Sequence, residues 1–187
     1  MEFGCEKRLT MKNKMLSERY KSAAFVKKQW RVLDIPNEEY AKLISLLALG
    51  HRGKEIHNEE WYPGIYVMED GSPISLAYLA ALVRLGDEMD VSQERIPELL
   101  YKNQKQNNEI SRMEFQKHRG IYQVSYEQQY IVLAISKAVT GDKILMRTIG
   151  TLADKIEKTA LECVDITKRR GKFQIQIQGV KKVMMEL

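Results

Sequence analysis

Apolar residues recur every three to four positions through the first part of this chain and every second position in stretches of its last part, so helices are expected first and strands later. Ser17 is placed to cap a helix whose apolar side carries Tyr20, Ala23, Ala24, Trp30 and Leu33. Asp34, Pro36 and Asn37 then break and restart the chain. From Asn37 as cap, Tyr40, Leu43, Ile44, Leu47 and Ala48 mark a second amphipathic helix, with Gly50 where a C-terminal glycine belongs. Residues 52–71 hold Gly53, Pro63, Gly64 and Gly71 among the aromatics Trp61, Tyr62 and Tyr66, the pattern of a long irregular loop partly packed on a core. Ser72 followed by Pro73 reads as a helix start. The helix expected from it, Ile74 to Asp90, is apolar nearly all round and therefore central and enclosed. Pro97 restarts a short helix through Tyr101, and the polar stretch Lys102 to Asn108 is a candidate linker.

Beyond that stretch the period shortens to two. Tyr122, Val124 and Tyr126 alternate with polar residues, Tyr130 to Ile135 is a β-branched run, and Phe173, Ile175 and Ile177 alternate with glutamines, which predicts three strands. Between the second and third, Asp142 caps a long helix with apolar positions Leu145, Ile149, Leu152, Ile156, Ala160 and Val164, closed by Lys168, Arg169, Arg170 and Gly171. The stripe has to be covered by the strands, by the helical part or by a second copy of the chain. The fold class expected is α+β: a mostly helical bundle over residues 15–109, then a strand-strand-helix-strand unit over residues 110–187.

With 187 residues, 44% hydrophobic and 29% charged, the chain can bury a core, and fibrous or disordered classes are excluded. The longest apolar stretch, Ile74 to Leu85, is too short to span a bilayer, and the polar, basic first residues lack a secretory signal; no membrane association and a cytoplasmic location are expected. Cys5 and Cys163 form neither a disulfide framework nor a metal knuckle, and Cys163, on a helix face, reads as a buried inert thiol. Charge is unevenly spread. Residues 1–31 carry nine Lys and Arg against three Asp and Glu, residues 32–101 five against thirteen, and residues 102–187 sixteen against nine. Such basic flanks either contact nucleic acid or an acidic partner, or are the solvated faces of amphipathic helices.

Phosphate-binding loops, nucleophile elbows and HExxH helices are all missing. The run Ala80-Ala81-Leu82-Val83-Arg84-Leu85-Gly86-Asp87-Glu88-Met89-Asp90, followed by Arg95, carries a different signal. It resembles the last helix of the HD superfamily of metal-dependent phosphohydrolases, with Gly86 where that helix has alanine. Ser22 to Leu33, Asn37 to Leu49 and Gly50-His51-Arg52 look like the preceding helices of the same domain, and the segment from Lys117-His118 onward resembles tails on some bacterial HD proteins. The resemblance spans roughly residues 17 to 120.

The resemblance implies a divalent metal (Mn2+, Mg2+ or Fe), a nucleotide or phosphoester ligand, and Asp87 at a family ligand position with His51 as an auxiliary ligand. Arg84 and Arg95 are candidate phosphate contacts, since guanidinium forks match phosphate oxygens. The His-Asp dyad that names the superfamily is missing: His51, His57 and His118 are followed by arginine, asparagine and arginine. One carboxylate cannot hold a catalytic ion, which needs about four to six protein or water ligands. Three readings follow. The chain is a partial or degenerate HD domain that recognises or regulates through a phosphoester; or it is a phosphohydrolase completed by a second chain or copy supplying the dyad; or it is a protein-interaction module. Each residue also has a structural reading: Asp87 paired with Arg84 or Arg95, Arg95 bonding Asp90, His51 at a helix end, and His57 and His118 as loop and strand-entry residues.

Overall fold

The computed structural model describes residues 21–51, 55–93, 118–171 and 173–186. The elements are α1 (residues 21–29), α2 (Glu38–Gly50), β1 (Tyr66–Val67), β2 (Pro73–Ile74), α3 (Leu76–Met89), β3 (Ile121–Glu127), β4 (Tyr130–Ser136), α4 (Lys143–Arg170) and β5 (Gly179–Met185). Short 3-10 turns lie at Glu55–His57 and Lys137–Val139. The class is α+β, as expected. The chain forms two compact units, Met1–Arg84 with Ile166–Gln174, and Leu85–Asp165 with Ile175–Leu187. Ser17, Cys5, Arg52, Arg95, the short helix from Pro97, the candidate linker and the 109/110 boundary lie outside the described residues.

In the first unit, Asp34 takes a positive φ of 56° as the chain turns out of α1, and Asn37 caps α2 by accepting from the Tyr40 amide at 2.9 Å. Ala41, Leu43, Ser45 and Gly50 are the buried positions of α2, while Tyr40 and Ile44, expected on its inner side, are exposed. Ser45 Oγ donates within α2 to the Ala41 carbonyl (2.7 Å) and lies 3.1 Å from the Ala23 carbonyl, tying α1 to α2. Gly50 is not a left-handed cap. It is the last helical residue, followed by His51 in right-handed conformation, and it is small for another reason: a Cβ there would meet the Tyr62 ring at 2.9 to 3.1 Å.

Two expectations fail at α3. Pro73 does not open the helix; it pairs with Val67, and Ile74 with Tyr66, in a two-residue hairpin. Ser75 is the cap instead, its Oγ accepting from Tyr78 N (3.3 Å). Proline at the start of a short strand and serine before a helix are both permitted, and the Ser-Pro pair alone could not choose between them. Nor is α3 enclosed all round. Leu76, Ala77, Ala80, Ala81 and Leu85 form one buried arc, whereas Leu82 and Val83 are 41% and 42% exposed. Apolar composition hid an ordinary one-sided helix.

In the second unit, β3 and β4 pair antiparallel and β5 joins β4 in parallel, in the order β3-β4-β5. A parallel neighbour requires a long crossover, which α4 supplies between β4 and β5. Asp142 caps α4, its carboxylate accepting from the amides of Ile144 and Leu145 at 3.0 Å. Most of the α4 stripe is buried within this one chain: Ile149, Ile156, Ala160 and Cys163 are fully buried and Leu152 nearly so, while Leu145 and Val164 are half-buried. Cys163 remains a thiol.

The third expected strand is displaced. Residues 173–178 have no ladder, although Ile175 and Ile177 are buried between exposed glutamines, and the paired strand is the next segment, Gly179–Met185. Alternation reported the inward side chains correctly at Ile175 and Ile177 but not at Phe173, which is 61% exposed. It could not report which segment finds a partner backbone, because β5 has mostly exposed residues and two central lysines.

Candidate functional site

α2 delivers His51 to the start of the loop that leads to α3. Its Nδ1–H donates to the Ala48 carbonyl three residues back (2.5 Å), so the ring folds onto the last turn of its own helix, where a cation or donor meets the orphan carbonyls. The loop beyond it is fixed by polar side chains reaching backbone. Tyr62, buried, donates its hydroxyl to the Leu46 carbonyl at 2.6 Å. Asn58 accepts from the amides of Glu60 and Trp61 at 2.9 and 3.3 Å. Glu39 accepts from the Tyr66 hydroxyl at 3.2 Å and from the Glu69 amide at 3.1 and 3.2 Å, holding the β1–β2 turn on α2. Desolvation, then the bond to the Glu39 carboxylate and its charge, push the Tyr66 phenol above its usual range. Asp70 accepts from the Ser72 amide at 2.8 Å, and that bond holds its carboxyl below its usual range.

The residue that organises this loop is Arg170, at the end of α4. Its Nη1 donates to the carbonyls of Ile56 (2.7 Å) and Tyr62 (3.4 Å), its Nη2 to the carbonyl of His57 (2.6 Å), and its Nε lies 3.4 Å from Glu59, with only 11% of the side chain exposed. Gly64 lies so close that a Cβ would sit 1.4 Å from the Arg170 carbonyl oxygen. The sequence marked Arg170 only as one of three basic residues closing a helix. Nothing in the sequence alone pairs it with carbonyls more than a hundred positions away. His57, a 3-10 residue, contributes its carbonyl here.

On α3, Arg84 is partly buried, and Asp87 and Glu88 follow in its last turn. Glu88, 16% exposed, pairs with Lys155 of α4 at 2.5 Å. At the end of α3 the buried His118 Nδ1 donates to the Val91 carbonyl at 2.8 Å. Beside this tie Met89, Asp90, Ser92, Tyr122, Gln123 and Val124 line an open cleft of about 450 Å3, the size of small-molecule clefts. The sequence placed His118 at a strand entry, where it lies, but gave no sign of the cleft, which depends on a loop meeting a strand.

These positions set the chemistry available. His51 belongs to the first unit and Asp87 to the second, and Arg84 closes the first unit's share of α3. Among the described residues no group of three or more His, Cys, Asp or Glu side chains gathers where it could hold a metal ion. By themselves the described residues therefore do not fit a resident divalent ion, and no hydrolytic step through one follows from them. A family model described as HD-CE matches residues 15–160. The chain belongs to the HD-CE family. No curated protein and no solved structure matches it. The HD-CE match takes in α1, α2, α3, β3, β4 and most of α4, so the HD-like reading drawn from the α3 run agrees with a family that extends well beyond that run. Among the described residues of this HD-CE chain no helix is long and apolar enough to cross a membrane.

Proposed function

We propose that this HD-like chain binds a nucleotide or another phosphoester and acts through that recognition, without catalysing its hydrolysis independently. The observation that carries the reading is the composition of the site. The α3 run keeps Arg84, Asp87 and Asp90, while no histidine of the chain is followed by aspartate. A hydrolytic HD centre needs an ion with several protein ligands and an open position for water. A chain that keeps the acidic and basic residues of the last helix without the dyad retains the means to contact phosphate and lacks the means to activate water. Arg84, with Arg95, is assigned the phosphate contact, because a guanidinium offers two parallel donors to phosphate oxygens. A divalent ion, Mn2+, Mg2+ or Fe, would use Asp87 together with donors from outside the described residues or from another chain.

Thermal shift tests this reading. Nucleotides should raise the melting temperature of the purified chain, because a ligand that binds only the folded state stabilises it by mass action. Arg84→Gln should remove that shift, read against the variant's own unliganded melting temperature. If Asp87 helps hold a metal, Asp87→Ala should lower the melting temperature in Mn2+ or Mg2+ and have little effect in chelator; an equal loss in both makes Asp87 a structural ion-pair partner. No shift with any phosphoester, with or without metal, contradicts the recognition role.

A further inference from the structure

The three-stranded sheet has two edges of different character. The β3 edge is broken by a register shift between Ile121 and Gln123, and bulges of this kind disrupt pairing at sheet edges. β5 is regular: seven consecutive residues pair in parallel with β4, from Tyr130↔Gly179 to Ser136↔Met185, with no shift and no proline. Its other side pairs with no strand among the described residues. Residues 181–186 are all exposed, including Val183 at 45%, Met184 at 41% and Met185 at 36%. A regular, exposed edge strand is a template for another backbone, since outward amides and carbonyls beyond Val180, whose amide donates to the Glu157 carboxylate at 3.3 Å, can complete a further ladder.

What that backbone should be is set by charge. Lys181 and Lys182 stand in the middle of β5, and Lys181 is held 3.6 Å from the centroid of the Tyr130 ring, which fixes its ammonium at the sheet surface. Lysines on an edge oppose pairing with an identical strand. The same charges attract carboxylates. We propose that β5 takes up an extended acidic segment of a partner protein as a fourth strand. Its backbone continues the ladder, its carboxylates meet Lys181 and Lys182, and its apolar side chains lie along Val183, Met184 and Met185. Lys181, Val183 and Met185 share one face and Lys182 and Met184 the other, so the segment is read on alternate positions. The inference rests on the sheet alone and is independent of the phosphoester reading.

Fluorescence anisotropy on the full chain tests it, with a labelled seven-residue peptide alternating glutamate and valine, matched in length to β5. The peptide should bind saturably. A lysine-valine counterpart should bind about tenfold more weakly or worse, as should the acidic peptide to the Lys181→Glu, Lys182→Glu variant. N-methylation of alternate peptide nitrogens should abolish binding, because it removes the ladder donors. Should the double charge reversal prove unstable by circular dichroism, Lys181→Ala, Lys182→Ala replaces it, with weaker binding again expected. Equal binding of acidic and basic peptides, indifference to N-methylation, or unchanged binding by a folded lysine variant overturns the proposal. So does a concentration-dependent dimer whose β5 amides become protected from hydrogen exchange, which would assign the edge to a second copy.

Discussion

The loop between α2 and α3 and the sheet β3-β4-β5 are both ordered around fully buried side chains, but by opposite means. In the loop, long polar side chains do the fixing: Arg170 on three carbonyls, Tyr62 on the Leu46 carbonyl, and Glu39 on the Glu69 amide. In the sheet, backbone ladders do it, with Ile131, Leu133 and Ile135 and the α4 residues Ile149 and Ile156 wholly buried. A ladder spreads its energy over many bonds, so no one residue is indispensable. A guanidinium serving three carbonyls concentrates it, and the loop should be more sensitive to single polar changes than the sheet.

The sharpest way to break that contrast is at Arg170. Arg170→Met leaves the part-buried carbonyls of Ile56 and Tyr62 unmet and should cost about 3 kcal/mol in urea unfolding, at about 1 to 3 kcal/mol for each unmet group. Arg170→Lys should recover only part, since an ammonium lacks the planar fork. A loss below about 0.5 kcal/mol would mean the loop is held by something else. Gly64→Ala, which meets the Arg170 backbone, should be comparably damaging, at about 3 kcal/mol.

Apolar truncation should separate buried from exposed positions. Ile156→Ala, at a wholly buried site, is expected to cost about 2 to 5 kcal/mol, and Val83→Ala, at an exposed one, about 0.5 kcal/mol or less. Similar losses at both would mean that α3 is enclosed after all.

Backbone positions give smaller effects, of the opposite sign. Gly86 lies within α3, and a Cβ there meets nothing within 4 Å, so Gly86→Ala should stabilise by about 0.5 to 1 kcal/mol. In the β3–β4 turn, Gln128 and Gln129 both take positive φ, 48° and 68°, where Asn-Gly is the favoured pair. The Gln129 amide reaches Gln176 at 3.3 Å and accepts from Gln178 at 2.7 Å, which holds the strained turn. Gln128→Gly relieves strain without touching those bonds and should stabilise by up to about 1 kcal/mol, read as a rise in melting temperature.

The smallest effect is a pH dependence in the loop. The Asp70 carboxyl is held below its ordinary value of 3.8 in the folded chain, so its contribution to stability is present above that value and is lost as pH falls through the lowered one. Tyr66 has the opposite sense. Its phenol is raised above 10.0, so its contribution is present below 10.0 and lost as pH rises past it. The stability gap between the parent chain and Asp70→Ala should therefore narrow in acid, and the gap to Tyr66→Phe should narrow in strong alkali. A pH-independent gap at either site removes the corresponding bond from the account.

Sequence periodicity and capping chemistry revealed the parts whose cause is local. Asn37 and Asp142 cap α2 and α4 as their side chains suggest, and Tyr122 to Ile135 alternate as strands. What stayed hidden depends on distant partners: β5, which becomes a strand only beside β4; the Pro73 hairpin, which needs Val67; and the Arg170 clamp. The site is legible in the same uneven way. The α3 run pointed to the family, whereas the cleft beside His118 needed the fold to bring residues 89–92 to residues 122–124.

The central claim, phosphoester recognition without independent hydrolysis, is tested most directly by 31P NMR of a nucleotide mixed with the purified chain and Mg2+. Binding should shift or broaden the nucleotide resonances, with no inorganic phosphate or other product resonance appearing over hours. A product resonance that grows in proportion to the chain, stops with chelator and is missing in Asp87→Ala would contradict the claim and make the chain a phosphohydrolase in its own right.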